Sequence, residues 1–140
     1  MQTARRISYG WLAFLGTVAA MMAVSIYWPK KPLNETMRAK LTCVARSVAL
    51  SEHVFARQQA GETFPPDFLA DLEERQTRLY RFMTSLQRSD DPARLAYRPI
   101  MAQLQAARDT AVAQDSVAYL TSTWAEVQTC DDTFFKGQAA

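Results

Sequence analysis

Cys43 and Cys130 carry the clearest covalent chemistry in this chain, one near each end of its last hundred or so residues. An even count suits a disulfide in an oxidising compartment, whereas free buried thiols behave as small apolar groups. Zinc fits poorly, because there is no C-x-x-C and a single histidine, His53. Lys40 and Asp131 are the next candidates. Each interrupts an otherwise apolar helix face about one turn or less from a cysteine. Antiparallel packing would make them a partly buried ion pair near the end of a bundle, or a polar pocket for a partner.

Catalysis is not expected. The chain has no glycine loop to cradle phosphate, no metal cluster and no serine-histidine-acid set in a recognisable context. Glu73-Glu74 and Asp131-Asp132 are adjacent acids, but neighbouring helical positions point about 100° apart, so neither pair converges on one atom. Both read as solvated faces. His53, between Arg46 and Arg57 in sequence, reads as a surface histidine beside the apolar arc. Met83 or Met101 could join it around a haem, but no C-x-x-C-H attachment motif exists and no cofactor is expected.

Such residues need a scaffold, and heptad-like apolar spacing supplies it four times, with no strand signal and only four glycines. A first helix is expected over 33–59, capped by Asn34 and ended by Gly61. Met37, Leu41, Val44, Val48 and Phe55 form one line of its buried arc, with Cys43, Leu50 and Val54 beside them. Arg38, Ala45, Ala49 and Ala56 fall opposite, toward water.

A turn through Pro65 leads to a second helix over 66–87. Its core face is Leu69, Leu72, Leu79, Met83 and Leu86, with Arg75 and Gln76 inside the arc. Asp91-Pro92 opens a third, over 92–113, facing inward with Leu95, Ile100, Leu104, Ala107 and Ala111 and bent at Pro99. Asp115 or Ser116 caps a fourth, to about 135, with Val117, Leu120, Trp124, Val127 and Phe134 inside. Short turns make this an all-α, antiparallel four-helix bundle over 33–140. The first and last helices then bring Cys43 and Cys130 to similar height. The closed loop would favour the folded state by about 4 kcal/mol.

Residues 7–28, ISYGWLAFLGTVAAMMAVSIYW, contain no charge and would span roughly 33 Å as a helix, enough for a bilayer core of about 30 Å. Tyr9 and Trp11 mark one interface, Tyr27 and Trp28 the other. A cleaved signal peptide fits less well, since the apolar run is long and ends in bulky rings. The expectation is a single uncleaved transmembrane anchor, with residues 1–6 cytoplasmic, 29–32 a linker and 33–140 exported. Ala13, Gly16, Ala20 and Ala23 line one face of it, as a helix-packing surface would.

Arg5, Arg6, Lys30 and Lys31 supply four of the sixteen basic residues, so twelve face fourteen acids beyond residue 31, a net −2. That balance leaves no basic patch for nucleic acid. Arg5, Arg6 and the amino terminus, with the paired cysteines, orient the chain with its bundle outside the cytoplasm. In a Gram-negative bacterium the anchor would lie in the inner membrane and the bundle in the periplasm.

The expected partners are membrane lipid and other membrane-protein subunits, with no small-molecule ligand identified. The expected role is a non-catalytic accessory or assembly subunit of a membrane complex. In layout the chain also resembles the ligand-sensing domain of bacterial chemoreceptors, although only six residues precede the anchor. An anchor followed by an exported helical segment is likewise similar to the inner-membrane spanins of phage lysis. Spanins favour long coiled coil, whereas Pro65, Pro66, Pro92 and Pro99 favour compact helices here.

Overall fold

The computed structural model describes residues 33–86 and 92–137. These residues form four helices and no strands, arranged as a helical bundle: α1 (Glu35–Gln59), α2 (Pro66–Ser85), α3 (Pro92–Gln114) and α4 (Ser116–Phe134). The expected anchor at 7–28, with Ala13, Gly16, Ala20 and Ala23, lies outside the described residues, as does Asp91. Among the described residues no helix is long and apolar enough to cross a membrane.

The helix ends follow local chemistry. Asn34 Oδ1 accepts from the Thr36 amide at 2.8 Å and starts α1. Gly61, at φ +92°, takes the left-handed turn that stops it, a conformation a side chain would strain. Pro66 occupies the first position of α2, where its missing N–H costs nothing. Asp115 Oδ1 accepts from the amides of Val117 and Ala118, at 3.0 and 2.9 Å, and opens α4 one residue after α3 ends. α3 runs as one helix through Pro99.

α1 is the centre of the bundle and packs against each of the other helices. Contacts fix the directions. Ser51 meets Gln76 and Val54 packs near Leu72, while Lys40 lies by Phe82, so α1 and α2 are antiparallel. Arg46 bonds Glu126 at 2.8 Å and His53 reaches Ser116, so α1 and α4 are antiparallel too.

Two apolar clusters make the core. Cys43, Val44, Leu79 and Phe135 anchor one, covered by Phe82, Met83 and Tyr97 among others. Leu50, Val54, Leu72 and Val127 anchor the other, under Phe68, Leu69 and Trp124. Phe68 and Trp124 meet edge to face at 5.0 Å, as do Phe82 and Phe135 at 5.2 Å.

Several expectations about faces need correction. Ala45 and Ala49, expected in water, are buried. The small side chain of Ala49 lets α3 approach: it shares a cleft with Leu104, Ala107 and Ala111, and next along that side Glu52 accepts from Gln105 at 3.1 Å. Phe55, Leu95 and Val117, expected inside, are more than half exposed. Leu95 is about 200° around the helix from buried Ala93, so one face cannot hold both. The buried line of α4 runs Thr123, Val127, Asp131, and Val117 is about 80° away from Val127. Phe55 borders a groove between α1 and α2.

Candidate functional site

The predicted pairing of Lys40 with Asp131 does not form. Asp131 is fully buried, but it faces α2. Its Oδ2 accepts from Arg75 Nη1 at 2.8 Å and from Arg78 Nη2 at 2.7 Å. Asp131 is one residue beyond Cys130, so it projects about 100° around α4 from the cysteine that meets α1. Lys40 instead lies 5.8 Å and 6.0 Å from the ring centres of Phe82 and Phe135, over the end of the core.

The reading of Asp131-Asp132 as a solvated pair also needs correction. Asp132 Oδ1 accepts from the same Arg75 Nη1 at 3.0 Å, and Asp71 accepts from Arg75 Nε at 2.9 Å. Arg75 is long enough to reach between two acids that diverge on their own helix. Its pKa rises because these carboxylates, Asp132 first, outweigh the cost of burying the guanidinium. The hydrogen bond to Asp131 raises that of Arg78, and the bond from Arg75 lowers that of Asp132. Two arginines of α2 and four carboxylates thus form one connected ion-pair cluster between α2 and α4.

Cys43 and Cys130 stand at disulfide distance, with sulfurs 1.94 Å and Cα atoms 5.9 Å apart, as the antiparallel register of α1 and α4 requires. His53 is less exposed than its sequence neighbourhood suggests. Its Nε2 lies 3.1 Å from Ser116 Oγ, and its ring meets Tyr119 edge-on at 5.3 Å. Burial, then Arg57 and Arg108, lower its pKa. Among the described residues no cluster of histidine, cysteine and acidic side chains could hold a metal.

One open feature of the bundle is a groove between α1 and α2. One part encloses about 520 Å³, over Val44, Ser47 and Val48 of α1 and beside Leu79, Tyr80 and Met83 of α2. Among the described residues α3 reaches it only through Tyr97. A second part, about 380 Å³, continues past Ser51, Phe55 and Leu69. Glu73 and Gln76 line both parts. Where they meet, the Gln76 amide donates to Ser51 Oγ across the floor.

Both walls repeat as coiled-coil seams do. Val44, Val48, Ser51 and Phe55 are spaced four, three, four on α1. Leu69, Glu73, Gln76, Tyr80 and Met83 are spaced four, three, four, three on α2. The α1 seam was legible in the sequence as part of its core line. The α2 seam was not, because Glu73, Gln76 and Tyr80 break its apolar pattern.

Three features set the groove apart from ordinary surface. Tyr80 and Phe55 are 71 % and 60 % exposed although large and apolar. Ser47 is 1 % exposed, yet its hydroxyl has no hydrogen-bond partner among the described residues, an uncommon state for a buried polar group. Glu73 makes no ion pair among the described residues, although Asp71 and Glu74 on either side do.

No protein-family model matches this sequence, and neither the curated proteins nor the solved structures yield a significant match, so what the site does must be argued from its own geometry.

Proposed function

We propose that this protein is a non-catalytic, single-pass accessory or assembly subunit of a membrane complex, presenting its four-helix domain on the outer face of the membrane. The observation that carries this reading is the open α1–α2 groove, walled by two heptad seams and bordered by exposed Tyr80 and Phe55. Two seams of this spacing side by side suit a helical segment of matching spacing.

The charged residues support the same reading. Arg75, Arg78, Arg108 and Arg46 are each paired with carboxylates within the domain, which fits a structural role. The uncharged run at 7–28 supplies the attachment. The Cys43–Cys130 pair suits an oxidising compartment, outside the cytoplasm.

Extraction of the full-length protein from its native membrane in a mild detergent, followed by native mass spectrometry, tests the proposal. A complex of fixed stoichiometry with another membrane protein is expected. A lone monomer, or a mature chain that begins beyond residue 28, would overturn it.

A further inference from the structure

We infer that the α1–α2 groove receives an amphipathic helix of a partner subunit, and that this helix places a lysine or arginine against Glu73. The inference rests on the accessory-subunit reading and goes further by specifying which surface is used and what chemistry fills it.

Shape selects a helix. The floor from Val44 to Phe55 extends roughly 16 Å along α1, about three helical turns. Both walls repeat every three and four residues, so a third helix with apolar side chains at the same spacing can interlock with both. Tyr80 and Phe55 stand toward opposite ends of the slot and would close over it, moving large apolar surface out of water.

Charge selects the partner. Glu73 borders both parts of the groove and has no cation of its own among the described residues. Burying it unpaired would be costly, whereas an incoming ammonium or guanidinium makes it a charge-assisted contact. A second copy of this chain fits badly. In a two-fold pairing the groove would meet itself, bringing Glu73 toward Glu73 as water is excluded.

The test replaces Tyr80, and separately Phe55, with the photocrosslinker p-benzoylphenylalanine in the full-length, membrane-embedded protein. Ala118 on α4 is the control position. The expected result is an adduct from positions 80 and 55, and not from 118. Mass spectrometry should place it in a partner segment with apolar residues at helical spacing and a basic residue among them. Glu73→Arg should then lower recovered complex roughly tenfold or more, since like charges would meet in a drying interface. Reversing the partner's basic residue to glutamate should restore it.

Adducts to a second copy of this chain, to lipid or to a small molecule would overturn the inference. So would a Glu73→Arg variant that assembles normally. A stoichiometric complex whose only adducts come from position 118 would overturn the groove assignment and leave the accessory role standing. Absence of any complex would remove both.

Discussion

The two long faces of α2 meet opposite fates. On one, Arg75 and Arg78 point at α4 and are held by Asp131, Asp132, Asp71 and Glu74. On the other, Glu73, Gln76, Tyr80 and Met83 border an open groove. The first face is strongly charged and fully matched. The second mixes polar and apolar side chains and keeps a carboxylate, Glu73, that makes no ion pair among the described residues. One face is occupied within the fold by ion pairs, and the other is left open to a partner. Charge density alone would have pointed to the wrong face.

The contrast can be broken most strongly at the sulfurs next to the charged face. Cys43→Ser with Cys130→Ser reopens a connection spanning 87 residues and should lower stability by about 4–5 kcal/mol, measured by urea denaturation. An unchanged midpoint would mean that the covalent link is not formed in the protein studied.

Asp131→Ala should cost about 3 kcal/mol or more in the same assay, because two guanidiniums then lie at least partly buried without their shared acceptor. Replacing Asp131 and Arg75 together by leucine should recover a large part of that loss. If the single substitution costs under about 0.5 kcal/mol, the cluster is surface decoration.

Groove substitutions sharpen the difference from the other side. Ser47→Ala removes an unsatisfied buried hydroxyl and should leave the isolated full-length protein unchanged or more stable by about 1 kcal/mol. Tyr80→Ser should shift the unfolding free energy by no more than about 0.5 kcal/mol, since its ring is already in water. A large loss from either would make the groove part of the core.

The smallest effect concerns pH. Burial and two arginines lower the pKa of His53 in the folded state, so the unfolded chain takes up a proton first on acidification. Stability contributed by neutral His53 is present above the ordinary value of about 6.5 and declines as pH falls below it. Denaturation midpoints measured from pH 7.5 to 5.5 should therefore drop toward acid, and His53→Gln should flatten the slope. A slope unchanged by that substitution would assign it to other groups.

The sequence by itself determined what depends on neighbours in the chain. Asn34, Gly61, Pro66 and Asp115 start or stop helices through atoms a few residues away, and all four act where the sequence places them. The four helices and the meeting of Cys43 with Cys130 followed from periodicity and short turns. Only the tertiary structure decided which acid meets which base, that Ala45 and Ala49 are buried with Ala49 facing α3, and that Phe55, Leu95 and Val117 stay exposed. Those outcomes depend on how each helix is rotated about its axis, and a rotation of less than 100° exchanges one neighbouring side chain for the next. Periodicity fixes that a face is buried, but the angle between faces is set by the packing of all four helices at once.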